Sequence, residues 1–276
     1  MSLFITSLNS GSNGNCYYIG NREEAIIVDA GLSCRETEKR MNRLGLDIKS
    51  VKAIFISHEH SDHIFGLPVL TKKYQVPVYI TERTRLNSGM QLQPHLVCAF
   101  NAYEPVEIGN MTIHAFPKQH DAADPHSFIV SANGVKVGIF TDIGNACNNV
   151  TDSFAQCNAV FLESNYDEAM LMNGRYPYHL KQRIRGGKGH LSNKQAFELF
   201  TSCRSPFMSH LLLSHLSREN NTHEIVDGMF QPHAKTTQVV IASRYKETAV
   251  YEIPASPAVP VRFTERRRPV EQLSLF

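Results

Sequence analysis

Three imidazoles and a carboxylate fall within six residues of the stretch "AIFISHEHSDHIFGL": His58, His60, Asp62 and His63. An apolar, β-branched run ends at Ser57 and a helical pattern follows, so these side chains are expected at the end of a strand. If the segment stays extended, His58 and His60 project to one side and Glu59 to the other. Asp62 and His63 then open the next helix and turn back over it. Imidazole and carboxylate are the donors that hydrolytic zinc or manganese ions take, and a strand end is where α/β proteins build sites. Glu59, away from the ligand side, is expected to support the loop.

One loop cannot complete the shells of two ions, so distant donors are needed. "HAFPKQHDAADP" places His120 after a strand, "VGIFTDIG" places Asp142 after a continuous apolar strand, and "LLLSHLSREN" places His215 at the end of another. A lone histidine after a strand is more often a hydrogen-bonded surface residue. Here the same geometry recurs four times along one chain, and a carboxylate at position 142 is suited to bridging two ions. His95, His114, His126, His179, His210, His223 and His233 have no place in this scheme and are read as structural or surface residues.

The elements that must position these groups are short. Runs such as "LFITSL", "CYYIG", "AIIVDAG", "MTIHAF", "HSFIV", "VKVGIFTD", "AVFLESN" and "TQVVIAS" are rich in β-branched or aromatic residues and are bounded by Gly, Asn or Pro. They read as strands. Helical patterns cover roughly 33–45, 62–75, 192–203 and 222–230. Asn133-Gly134 between two strand runs predicts a hairpin. Strands come first in hairpins and then alternate with helices, twice over, which predicts a layered α/β domain with mixed sheets. The pattern stops after Ile253. Residues 1–253 are expected to form the domain and 254–276, proline-rich and then basic, a tail.

Composition excludes several classes. No apolar run approaches the roughly 18 residues of a membrane span, and no signal peptide is evident at the start. The six cysteines, at 16, 34, 98, 147, 157 and 203, form no CxxC pair, so neither a thiolate zinc site nor a disulfide framework is expected. A cytoplasmic protein with reduced thiols fits. The net charge of +2 is small, but "KQRIRGGKGH" concentrates Lys181, Arg183, Arg185 and Lys188 without an acid. Those cations, Arg183, Arg185 and Lys188 above all, are candidates for tracking phosphates. Asn9, Ser12, Asn13 and Asn15 in a glycine-rich loop read either as a cleft rim or as a plain hairpin turn.

The order His58-x-His60-x-Asp62-His63, then His120, Asp142 and His215, resembles the metallo-β-lactamase-fold hydrolases, and "AIIVDAG" with Asp29 looks like that family's first motif. "LNSGSNGNCYYI", "SHEHSDHIFGL", "HDAADP", "GHLSNKQA" and "LSHLSRENN" are similar to the YycJ/WalJ group of DNA exonucleases. The resemblance implies a four-layer αβ/βα sandwich with two mixed sheets. It implies two divalent ions, zinc or manganese: one on His58, His60 and His120, the other on Asp62, His63 and His215, with Asp142 bridging. Asp62 would shuttle the proton of the attacking water. His190, before a helix that Ser192 could cap, would assist the scissile phosphate or the leaving oxygen. The implied activity is 5′→3′ exonucleolytic cleavage of double-stranded DNA in repair or replication. An RNA-processing nuclease, a small-molecule metallohydrolase acting on a cyclic phosphodiester or thioester, and a non-catalytic metal-containing module are the rival readings.

"QLSLF" at 272–276 resembles the short motif by which bacterial replication and repair proteins bind the β sliding clamp. Gln272 could hydrogen-bond at a pocket rim while Leu273, Leu275 and Phe276 fill apolar pockets.

Overall fold

A computed structural model describes residues 2–255. The QLSLF segment expected to bind a partner, Gln272, Leu273, Leu275 and Phe276 included, therefore lies outside the described residues, as does nearly all of the expected tail. In chain order the strands are β1 (Leu3–Asn9), β2 (Cys16–Gly20), β3 (Ala25–Val28), β4 (Val51–Phe55), β5 (Val78–Tyr79), β6 (Val97–Cys98), β7 (Pro105–Ile108), β8 (Met111–Pro117), β9 (His126–Ala132), β10 (Val135–Phe140), β11 (Ala159–Glu163), β12 (His210–Ser214), β13 (Gln238–Ile241) and β14 (Tyr251–Ile253). The α-helices are α1 (Cys34–Arg43), α2 (Ser61–Ile64), α3 (Leu67–Tyr74), α4 (Glu82–Ser88), α5 (Asn148–Phe154), α6 (Glu168–Asn173), α7 (Tyr178–Arg185), α8 (Asn193–Cys203) and α9 (His223–Phe230).

The strands form two seven-stranded sheets, ordered β14-β1-β2-β3-β4-β5-β6 and β13-β12-β11-β10-β9-β8-β7. Each begins with antiparallel hairpins and continues in parallel, with the change at β3–β4 in one and at β10–β11 in the other. This is the twice-repeated order expected from the sequence. The Asn133-Gly134 turn joins β9 to β10 with both residues at positive φ, 50° and 80°, the backbone that such a two-residue hairpin requires.

Strand alternation sorts the core into layers. On β11, Ala159 and Phe161 face the other sheet, while Val160 and Leu162 face the helices. Between the sheets, Ile5, Tyr17, Ile19, Val28 and Phe55 pack with Phe128, Val130, Val137, Ile139, Phe161 and Leu212. Outside the first sheet, Ile27, Ile54 and Val78 are covered by Met41, Leu67 and Leu70 of α1 and α3. Outside the second, Leu211 and Leu213 are covered by Phe154, Leu199, Phe200 and Phe230 of α5, α8 and α9. The result is the four-layer α/β/β/α sandwich.

Two expectations are revised in detail. The helix expected over 62–75 is two helices: α2 ends before Gly66, and α3 starts anew with Pro68 in its first turn, where a missing N–H costs nothing. Helices α4 to α7 carry no long apolar stripe and gave no periodic signal; α7 buries none of its residues. By contrast α8 starts as read, with Ser192 and Gln195 forming a reciprocal capping box.

Candidate metal centre

The donors converge where the loop ends of the two sheets meet. Asp29 follows β3, His58, His60, Asp62 and His63 follow β4, His120 follows β8, Asp142 follows β10, Glu163 ends β11 and His215 follows β12. Asp29, Asp142 and His215 each take a left-handed backbone, with φ of 61°, 53° and 57°. That conformation turns the chain sharply off the strand end, where the donors gather.

His58 Nε2 lies 3.1 Å from His60 Nδ1, which lies 3.3 Å from His120 Nε2. The Nδ1 protons of His58 and His120 are committed elsewhere. Ser57 Oγ donates to Asp29 at 2.8 Å, so it accepts from His58 Nδ1 at 2.9 Å. His120 Nδ1 donates to the Gly189 carbonyl at 3.0 Å. The Nε2 atoms of His58 and His120 are thereby left as lone pairs aimed at one point, a geometry that calls for a cation. Burial holds the His58 proton affinity well below normal and lowers His120 to about 4, so both rings are neutral at pH 7, as ligation requires.

A second cluster contains Asp62, His63 and His215. His63 Nδ1 donates to buried Asp29 at 2.7 Å, which orients Nε2 toward Asp142 Oδ2 at 3.1 Å and Asp62 Oδ2 at 3.5 Å. His215 Nε2 lies 3.4 Å from Asp62 Oδ2 and 3.6 Å from Asp142 Oδ1. Asp142 Oδ2 is buried and has no well-oriented donor among the described residues. Burial works against positive charge on His63 and His215, but the surrounding carboxylates outweigh it. His63 is raised well above its usual value by Asp142, Asp29 and Asp62, and His215 is raised to about 10, chiefly by Asp142. Asp62 and Asp142 are correspondingly held below the usual carboxylate range against the same burial. The cluster therefore demands positive charge, which protons or divalent ions supply. The donor set fits divalent metal ions, and Asp142 touches both clusters.

His190 stands beside them. Its Nδ1 donates to Glu163 Oε1 at 2.7 Å, and its ring stacks on His215 with centroids 5.3 Å apart. Glu163 is fully buried and also accepts from the backbone N–H groups of Ile143 and Leu191, at 2.8 and 3.2 Å. Burial alone would raise its carboxyl; His190 and His215 hold it at about 2 instead. Glu163 was not among the sequence candidates, although it ends the otherwise apolar run "AVFLE" just as Asp142 and His215 follow theirs. Asn15, left open between rim and turn, is buried and lies 3.1 Å from Asp62 Oδ2 and 3.0 Å from His63 Nε2. Glu59 accepts from Ala123 N at 2.7 Å, away from the cluster.

The cations of 181–188 divide. Arg183 lines the cleft, a cavity of about 380 Å³ that also contains Ser12, Tyr176 and Leu180, and it is paired to Asp121 at 2.5 Å. Arg185 lies in a neighbouring groove with Glu168 and Lys194, close to Met172 rather than to the cleft. Lys188 is exposed on the loop before Gly189. Of the seven histidines set aside, none joins a donor cluster among the described residues.

Known proteins are similar to this chain in sequence and in fold. A family profile, the metallo-beta-lactamase superfamily, matches residues 10–178. The exodeoxyribonuclease YycJ of Bacillus anthracis is 36% identical over 233 residues, 82% of this chain and 86% of that protein. The exodeoxyribonuclease WalJ of Streptococcus pneumoniae is 31% identical over 79% of this chain and 83% of that protein. In structure, the metallo-beta-lactamase fold protein YhfI from Bacillus subtilis superposes with a TM-score of 0.68 at 18% identity, over 91% of this chain and 99% of that one. With its two mixed sheets, its donors gathered at their common edge and these relatives, the chain belongs to the metallo-beta-lactamase superfamily of metal-dependent hydrolases.

Proposed function

We propose that this protein is a metal-dependent nuclease that hydrolyses phosphodiesters of DNA, acting as a 5′→3′ exonuclease on duplexes in repair or replication in the cytoplasm. In this reading His58, His60 and His120 hold one divalent ion, zinc or manganese. Asp62, His63 and His215 hold a second, and Asp142 serves both. Such a pair would supply hydroxide at neutral pH and offset the charge of the attacked phosphate. Asp62 is the group that takes the proton of the attacking water. His190, acting as imidazolium, donates its Nδ1–H to Glu163 and presents Nε2–H to the cleft, where it steadies the phosphate or protonates the leaving oxygen.

The observation that carries the reading is this His190–Glu163 pair beside the metal clusters. Metal donors alone would serve many hydrolases, but a buried anion orienting an imidazole at the cleft is suited to a poor, anionic leaving group. Arg183 on the cleft wall adds a cation for the strand, and the exodeoxyribonuclease names of the two relatives agree. Among the described residues no helix is long and apolar enough to cross a membrane. The QLSLF segment is proposed to bind the β sliding clamp. End-labelled duplex and single-stranded DNA and RNA, incubated with Mn²⁺, Zn²⁺ or Mg²⁺ and resolved on a gel, test the proposal. Stepwise shortening of duplex DNA from the 5′ end supports it; cleavage of bis(p-nitrophenyl) phosphate with no action on DNA refutes it.

A further inference from the structure

Beside the cleft lies a second, smaller cavity of about 130 Å³. Its lining includes Ser10, Ser217, Arg218, His223, Arg244 and Tyr245, and no carboxylate among the described residues. The two cavities share a wall. Ser10 lines the small one and accepts from His215 N at 2.7 Å. Ser12 lines the cleft and accepts from Arg244 Nη2 at 3.1 Å. Leu216, next in sequence to His215, also faces the small cavity.

The state of the cations sets this wall apart from α7. Arg183 is occupied by Asp121, and Lys181 by the Met172 carbonyl. Arg244 is held in place through its carbonyl, which accepts from Asn13 Nδ2 at 2.8 Å. Its Nη1 is nevertheless buried with no hydrogen-bond partner among the described residues. An unmatched guanidinium nitrogen is costly to bury; a turn of the Arg244 side chain toward the cavity that it lines would give the fork an acceptor of suitable geometry in a phosphate oxygen. Arg218 is exposed at the mouth, with Glu219 as its near acid at 3.7 Å. His223 and Thr222 begin α9, and a helix start favours anions. The cavity is well below the usual size of a pocket for a whole small molecule, so it suits a single phosphoryl group.

Building on the nuclease reading, we propose that this cavity is a second phosphate site, in which Arg244 and Arg218 hold a phosphate of the strand whose neighbouring phosphodiester lies at the metal centre. The strand then crosses the Ser10–Ser12 wall. The phosphate is either a terminal monoester or an internal diester.

Arg244→Gln and Arg218→Gln in the full chain, with metal loaded, test the proposal on 5′-phosphorylated and 5′-hydroxyl duplex DNA and on bis(p-nitrophenyl) phosphate. Losing one charged contact is expected to raise KM for DNA roughly tenfold to a hundredfold, at least tenfold more than any change with the small diester. The slope of log KM against log salt should fall by about 0.9 per arginine. A loss confined to 5′-phosphorylated ends identifies the terminal monoester, and an equal loss on both ends the internal diester. Unchanged KM and salt slope in both variants overturn the site. A separate arm uses inorganic phosphate in calorimetry: the wild type should bind one phosphate more than Arg244→Gln. Should the wild type cleave no DNA, the nuclease reading falls, and equal phosphate stoichiometry in this arm would overturn the cavity as well. Arg218→Gln, exposed and free of core contacts, keeps the test valid if Arg244→Gln does not fold.

Discussion

Glu163→Gln is the sharpest probe of how the site works. The carboxylate takes His190 Nδ1 at 2.7 Å through one oxygen, with His215 Nδ1 at 3.3 Å, and two backbone N–H groups through the other. Every partner is a donor, so an amide cannot satisfy them all. Its NH₂ must face either the imidazoles or the Ile143 and Leu191 amides. If it faces His190, the ring is driven to the other tautomer, and Nε2 carries the proton without an anion behind it. A charged hydrogen bond of this kind is worth about 1.5–3 kcal/mol, which corresponds to a loss in kcat of roughly ten- to a hundredfold. The assay is kcat on bis(p-nitrophenyl) phosphate and on duplex DNA, with metal content measured on the same samples. The loss should appear in kcat rather than KM. In a His190→Ala background, which by itself should cost roughly 10²-fold or more, the second substitution should cost little, because the two residues act as a unit. Multiplicative losses in the double variant, or a Glu163→Gln enzyme within threefold of wild type at full metal content, would refute the argument.

Asp142→Ala removes the carboxylate that touches both clusters, so metal analysis should find fewer divalent ions per chain and no activity; full metal content would refute its shared role. Gly66→Ala places a methyl group 1.7 Å from the Leu32 carbonyl. The clash should cost more than about 2 kcal/mol and lower metal content with it, since α2 carries His63; an unchanged denaturation midpoint would refute this. Deleting 272–276 should leave cleavage of short DNA intact and abolish capture by the β sliding clamp, and equal capture would dismiss the motif.

How much of this could be read beforehand depended on how local each feature is. The His58–His63 group is legible because one strand end carries four donors. Its partners come singly from the other sheet, and His120, Asp142 and His215 could be found only because each follows an apolar strand. Glu163 escaped the same search because it is the last residue of its strand rather than the one after. What binds it is contributed by residues 143, 190, 191 and 215, contacts that no spacing rule connects. Helix α7 escaped because periodicity reports burial, and α7 buries nothing. The role of Arg183 was open for a related reason: charge is visible in a sequence, but the Asp121 that pairs with it, 62 residues away, is a product of the fold.

The left-handed residues add a physical cost to the site. His215 at φ 57° is neither glycine nor asparagine, and such a backbone costs an ordinary residue roughly 1–2 kcal/mol. The surroundings impose it: His215 N is held by Ser10 Oγ at 2.7 Å and its carbonyl by Asn165 Nδ2 at 2.8 Å. The side chain must earn its position through chemistry rather than through folding. Two substitutions separate these contributions. His215→Ala and His215→Gly both delete the imidazole and its contacts with Asp62 and Glu163. They differ in that alanine retains a Cβ at positive φ while glycine does not. Glycine ordinarily loses to alanine because its unfolded chain is freer; here the order should reverse. In metal-free chemical denaturation, His215→Gly should be the more stable variant by about 1 kcal/mol, with neither variant active. An alanine variant as stable as the glycine variant would mean that the turn after β12 carries no strain, and that the left-handed geometry shared by Asp29, Asp142 and His215 is merely a convenient way off a strand.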